Sequence, residues 1–341
     1  MRRTDWSEVQ LHVVTGKGGT GKSTVAASLA LALAAEGRQV LLCEVEGRQG
    51  IARMFDVDPL PYAERRIATG LGGTGTGTGT GTGRPGTVHA LHIDPEAALL
   101  EYLALYYKLG RAGRALDRFG VIEFATTIAP GVRDVLLTGK VYEAVQRNSR
   151  NKGAVQYDAV VLDAPPTGRI TQFLNVSDEL AGLAKVGPIR AQSDTMMTLF
   201  RSPRTAVHLV TVLEEMPVQE TADGIAQLRE AGLPVGAVVV NQVRPRDVAP
   251  DDLADALAGR LDRSRLGADL ASVGIEVTDT LLDGLVAEAR DHAERRSLED
   301  AQRRLVADFD VPVVELPRLA GGVDLGGLYD LAATLDEQGL R

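Results

Sequence analysis

Leu11-His12-Val13-Val14-Thr15-Gly16-Lys17-Gly18-Gly19-Thr20-Gly21-Lys22-Ser23-Thr24 is the stretch that decides the fold. Five apolar or β-branched positions predict a strand at 11–15, and the apolar run after Thr24 predicts a helix over 23–36. Between them lies a loop in which Gly16, Gly18, Gly19 and Gly21 let the backbone curl and turn successive N–H groups toward one point. A strand, a glycine loop of the form G-x4-G-K-S and a helix N-terminus together make a phosphate cradle. The helix dipole adds partial positive charge at the same place. Lys22 is placed for the β- and γ-phosphates of a nucleotide, Ser23 for magnesium, and Thr20 and Thr24 for the cradle, Thr24 at the α-phosphate. The expected ligands are ATP and Mg2+.

Working outward, the same alternation continues. Strands are predicted at 40–43, 88–93, 159–163, 206–213, 235–241 and 311–315, and helices at 95–109, 132–147, 218–231, 250–273, 278–309 and 324–338. The strand runs are almost continuously apolar, as expected where helices cover both faces of a parallel sheet. The fold class is therefore α/β, a doubly wound and mostly parallel sheet, with residues 1–341 forming a single domain. Two regions break the rhythm. Residues 72–83 alternate Gly and Thr and offer nothing apolar to bury, which predicts a disordered insertion. Residues 95–147 and 180–201 read as helix without interleaved strands, a helical subdomain within the domain. Its apolar stretches, Leu99 to Tyr107 and Met196 to Phe200, stand open to two readings: ordinary core packing, or a groove for a hydrophobic client.

Four further positions carry candidate chemistry. Asp163 ends an apolar strand, where an aspartate beside the phosphate loop holds magnesium through its water shell. The prolines and glycine of Ala164-Pro165-Pro166-Thr167-Gly168 suit a loop that senses the γ-phosphate. Glu46, in Glu44-Val45-Glu46-Gly47-Arg48, is the candidate for polarising the attacking water, with Glu44 as the alternative. Asn241 ends another strand on the ligand side of the sheet and can pair with an adenine edge or simply cap a turn. The segment from Glu315 to Leu319, including Pro317, is expected to form the other wall. Lys17 is a second lysine early in the loop, and its position alone reads as a solvated loop lysine.

The composition narrows the alternatives. With 37 basic and 46 acidic residues the formal charge is −9, which disfavours nucleic acid as a partner. The single cysteine, Cys43, cannot form an internal disulfide or supply the ligands of an iron–sulfur cluster. No run of about 18 apolar residues predicts a membrane span, and Met1 to Glu8 does not read as a secretory signal, so a cytoplasmic location is expected. His12, His89, His92, His208 and His292 show no ligand spacing.

The loop at 16–24, the string Asp163-Ala164-Pro165-Pro166-Thr167-Gly168-Arg169-Ile170-Thr171-Gln172-Phe173-Leu174, Val239-Val240-Asn241-Gln242, Ile93-Asp94-Pro95-Glu96 and the 316–319 segment resemble the ArsA/GET family. That family comprises arsenite-pump ATPases and ATPases that target tail-anchored membrane proteins; the wording around Glu46 is similar to an actinobacterial anion-transporting branch. The resemblance spans roughly residues 11–331. It implies a P-loop NTPase fold of the SIMIBI class with a deviant Walker A loop, and a dimer that closes on ATP and opens on hydrolysis. Lys17 would then complete the partner's site, with Lys22 and Glu46 acting in their own. It also implies a homodimer, or a hetero-dimer with a paralogous ATPase, coupled to a hydrophobic client or a membrane partner. Where the family carries Asp-Pro-Ala, this chain reads Glu46-Gly47-Arg48, which implies slow or altered hydrolysis. A nucleotide-binding regulatory pseudo-ATPase and a positioning ATPase of the ParA/MinD kind are the competing functions.

Overall fold

The computed structural model describes residues 5–47, 49–71, 86–107, 130–147, 154–175 and 188–341. The expected Gly-Thr insertion at 72–83, and parts of the expected helical subdomain, lie outside these residues.

Eight strands form one sheet: β1 (Leu11–Gly16), β2 (Gln39–Glu44), β3 (Arg65–Thr69), β4 (Thr87–His92), β5 (Ala159–Asp163), β6 (Thr205–Thr211), β7 (Val235–Val243) and β8 (Val313–Pro317). Their order is β3-β4-β2-β5-β1-β6-β7-β8. Every neighbouring pair is parallel except β3 with β4. The β1 strand lies between β5 and β6, so connections leave the centre in both directions. The carboxyl ends of β1 and β5 border the crevice where such sheets bind ligands.

Side chains alternate between two cores, as the two-residue repeat of a strand demands. Leu11, Val13, Leu41, Cys43, Val160, Leu162, Val207 and Leu209 face one core, while Val14, Val40, Leu42, Val161, Ala206 and Val210 face the other. The second core holds α1 (Lys22–Leu33), α2 (Gly50–Met54) and α11 (Leu325–Glu337). Ten residues of α1 are buried, around its whole circumference, because the helix is caught between the sheet and α11.

The first core holds α3 (Pro95–Tyr107), α4 (Pro130–Gln146), α5 (Thr167–Leu174), α6 (Pro188–Phe200) and α7 (Glu215–Glu230). Met196, Met197, Leu199 and Phe200 are all buried there. Of the two readings of that stretch, core packing is the one these side chains adopt.

Three local expectations are corrected. The expected single helix over 250–273 is two, α8 (Pro250–Leu257) and α9 (Arg263–Ser272). The break falls at Gly259, which sits at φ 66, and Asp262 caps α9 by accepting from the N–H groups of Ser264 and Arg265. The 29-residue α10 (Asp279–Ala307) follows. The loop expected after Asp163 is short, because Thr167 already opens α5. The β3 strand was not expected: its sequence, Arg-Arg-Ile-Ala-Thr, has exposed arginines and lacks an apolar run. It is an antiparallel edge strand, where charge is favoured.

At the other edge, the Gln338 side chain accepts from the Glu315 N–H (3.0 Å) and donates to the Glu315 carbonyl (2.7 Å), pairing with β8 as a strand backbone would.

A buried histidine pair crosses the centre of the sheet. The Ala237 N–H donates to His208 Nδ1 at 3.1 Å, which leaves the His208 proton on Nε2, 3.1 Å from His12 Nδ1. The rings stack, with centroids 5.3 Å apart. Burial pushes His208 down to about 3, and burial together with His208 and Arg38 holds His12 well below the usual histidine range. Both rings are therefore neutral when folded and take up protons on unfolding once the pH falls below about 6.5. The pair's stabilising effect is complete above that pH and lost as the pH falls toward the folded values. The expected loss is about 2–3 kcal/mol per pH unit between pH 6 and 4, and the double variant His12→Leu/His208→Leu should flatten the slope by the same amount. Urea melts across that range measure it.

Candidate functional site

The site assembles at the carboxyl ends of β1, β5, β2 and β7. Gly16 ends β1 pressed against β6: a Cβ there would lie 2.2 Å from the Val210 carbonyl oxygen. Only glycine lets the chain leave the sheet so tightly. Beyond it the Thr20 hydroxyl donates to the Lys17 carbonyl at 2.9 Å, closing the turn. Gly21 caps α1 in the left-handed conformation, φ 88. Lys22 follows and is almost fully buried at 9% exposure, with Gly18 and Gly19 on the open rim.

The Ser23 hydroxyl donates to Asp163 Oδ2 at 2.5 Å. Burial drives the Asp163 carboxyl up to about 6, with Glu44 and Glu46 adding to the rise and Ser23 and Lys22 opposing it. A buried carboxylate beside a hydroxyl, in surroundings that resist its charge, is a hard oxygen donor set suited to a divalent cation such as magnesium. The loop after it is tied back to β1, since the Thr15 hydroxyl donates to the Pro165 carbonyl at 2.7 Å. Thr24 is turned elsewhere: its hydroxyl points to Met54 Sδ at 3.7 Å.

Asn241 is buried and its Nδ2 donates to the Thr20 carbonyl at 2.9 Å. Its amide thus fastens the phosphate loop to β7. Pro317 is the exposed last residue of β8, and the next residue, Arg318, donates its N–H to the Val243 carbonyl at 2.8 Å. Arg318 and Gln242 line a cleft of about 590 Å³ whose other wall includes Lys17, Gly18, Gly19 and Thr20.

Lys17 lies at the mouth of that cleft, where its Nζ pairs with Glu220 of α7 at 2.7 Å. Both side chains are about one-third exposed, so the pair contributes at most about 1 kcal/mol and releases easily.

Glu46 is exposed and borders a separate pocket of about 150 Å³ with Arg133, Asp134, Pro165 and Arg169. Sequence reasoning gave no role to Arg169, which follows the Asp163 loop and lies 3.7 Å from the buried Asp134. The signal was present in the string from Asp163, where the arginine stands in the first turn of what proves to be a helix.

Residues 9–204 match the family model described as anion-transporting ATPase. The chain belongs to that family. It is 52% identical over 335 residues to ATPase BagA of Mycobacterium tuberculosis, covering 98% of this chain and 95% of the relative. It is 26% identical to the arsenical pump-driving ATPase of Escherichia coli over 78% of this chain, a match that spans 45% of that longer protein. Neurospora crassa ATPase get3 is 24% identical over 67% of this chain and 72% of its own length. The anion-transporting ATPase family and the ArsA/GET resemblance of the sequence, carried above all by the string from Asp163 to Leu174, thus coincide. The family's α/β sheet accounts for the placement of Lys22, Ser23 and Asp163 at one crevice. Among the described residues no helix is long and apolar enough to cross a membrane.

Proposed function

We propose that the chain binds and hydrolyses ATP, and that two copies close on the nucleotide as a switch. The observation that carries this reading is the phosphate loop, with Ser23 bonded to a buried Asp163 on one side and Lys17 held only by a surface pair on the other. The loop's N–H groups and Lys22 hold the β- and γ-phosphates. Ser23, and Asp163 through water, would hold magnesium, which would supply charge neutralisation at those phosphates. Glu46 takes a proton from the attacking water as its oxygen bonds to the γ-phosphorus and the ADP oxygen leaves. Lys17 leaves Glu220 and stabilises the charge on the phosphoryl group bound by the partner. Asn241 and the 315–319 segment border the adenine end. The helical layer from α3 to α6 is the element that would pass closure to a hydrophobic client or membrane partner; one distant relative is named for driving an arsenical pump.

Complementation tests this directly. Lys17→Ala and Glu46→Gln are each expected to lose most turnover. Mixed together, half of the dimers pair one variant with the other, and one of the two sites in each has both an intact Glu46 and a Lys17 supplied in trans. Mixing the inactive proteins should therefore restore about a quarter of the parent activity. A mixture as inactive as its components sinks the trans role of Lys17. A Glu46→Gln protein that turns over like the parent sinks the assignment of the base.

A further inference from the structure

Glu44 stands out at the end of β2. It is 2% exposed and sits in register between Asp163 of β5 and His92 of β4. A carboxylate that deep is costly unless hydrogen bonds compensate it. Only one of its oxygens has such a bond: Oε1 accepts the Gly50 N–H at 2.7 Å. The other, Oε2, is buried and has no hydrogen-bond partner among the described residues; it lies 3.5 Å from His92 Nδ1, which is likewise buried and unbonded among them.

The bond to Gly50 spans a particular loop. The chain leaves β2 at Glu44 and enters α2 at Gly50, so Glu44 ties the end of this connection to its beginning. The loop carries Glu46 near its middle. Its far end is further fixed at Gln49, a non-glycine residue at φ 52. The Gln49 side chain accepts from the Leu60 N–H at 2.8 Å and donates to the Leu60 carbonyl at 3.1 Å. A residue held in the left-handed region needs such support. The start of the loop is fixed as well, since the Ile93 N–H donates to the Glu44 carbonyl at 2.9 Å.

We propose that Glu44 is a positioning residue for hydrolysis: through Gly50 it sets the loop that presents Glu46 to the attacking water. The proposal rests on Glu46 as the base and adds what holds that base in place. It also separates the two acids of this segment. Glu46 needs its charge, to take a proton. Glu44 needs only an acceptor oxygen toward Gly50, because its second oxygen makes no hydrogen bond. An amide supplies that acceptor equally well, and its N–H2 would face the free His92 Nδ1.

The test is a steady-state comparison of ATP hydrolysis by full-length Glu44→Ala, Glu44→Gln, Glu46→Ala and Glu46→Gln, with thermal melting and ADP binding measured on each. Glu44→Ala is expected to lower kcat about 10- to 100-fold with the KM for ATP within about twofold of the parent, the signature of a misplaced catalytic group rather than a lost binding contact. Glu44→Gln is expected to recover at least about fivefold of that loss. Glu46→Gln should show no such recovery relative to Glu46→Ala. If Glu44→Gln is as slow as Glu44→Ala while Glu46→Gln is also inactive, the charge of Glu44 matters and the positioning role is wrong, though Glu46 stands. If Glu44→Gln is inactive and Glu46→Gln turns over normally, the base itself has been misassigned. If Glu44→Ala loses ADP binding and melting temperature along with kcat, the residue is merely structural.

Discussion

Asp163→Asn should make the nucleotide-free protein more stable while removing its response to Mg2+-ATP. The carboxylate is buried and is pushed up to about 6 chiefly by that burial, so the empty fold bears a charge at neutral pH that Ser23 and Lys22 only partly compensate. Asparagine keeps an acceptor for the Ser23 hydroxyl, 2.5 Å away in the parent, and removes the charge. The expected gain is about 1–3 kcal/mol in the absence of ligand, read as a higher urea midpoint. The expected loss is larger. In its proposed role Asp163 supplies the protein's carboxylate to the metal's shell, so hydrolysis should fall by about two orders of magnitude or more without it. Melts with and without Mg2+-ATP give both halves of the result. A variant that is destabilised when empty, yet still stabilised by Mg2+-ATP as strongly as the parent, would contradict this account of Asp163.

Gly21→Ala should weaken ATP binding by about 100-fold. Gly21 sits at φ 88, where an L-residue costs about 1–2 kcal/mol. The new Cβ would also lie 2.4 Å from Asn241 Nδ2. That amide cannot move without releasing the Thr20 carbonyl, its partner at 2.9 Å, and Asn241 is buried with little room to rotate. The loop would lose its tether to β7 just where its N–H groups must converge. The double variant Gly21→Ala/Asn241→Ala removes the clash but not the backbone strain, so it should bind ATP better than the sum of the single effects predicts. Nucleotide titrations of the three proteins measure the coupling. Additive losses would show that the two residues act separately.

The parallel part of the fold was legible in the sequence because its strands are buried on both faces. Their apolar runs are nearly continuous, interrupted mainly by single histidines, and the end of each run falls within two residues of the strand's end. The edge escaped the same reasoning. Strand β3 earns its place by pairing with β4 rather than by burying side chains, and its exposed arginines carry no strand signal. The short helices α2 and α5 were also missed, since five and eight residues give too little periodicity to register. The core of the site was legible for a chemical reason. A phosphate cradle needs glycines, a lysine and a hydroxyl within one short loop, and the acid at the end of β5 needs only sheet adjacency to meet them. Contacts between distant segments were not legible. Nothing in the order of residues says that Asn241 fastens Thr20, that Glu220 holds Lys17, or that Glu44 reaches Gly50.

The Gln338 side chain against β8 has a consequence for how copies of this protein meet. A parallel sheet that ends abruptly offers its last strand as a template for another chain's strand, and such joining propagates without limit. The amide of Gln338 takes up both hydrogen-bonding groups of Glu315 at the middle of that strand, while the arginines of β3 guard the opposite border. Stacking of sheets side by side is discouraged at both ends, which agrees with the proposed closure of two copies across the crevice rather than edge to edge.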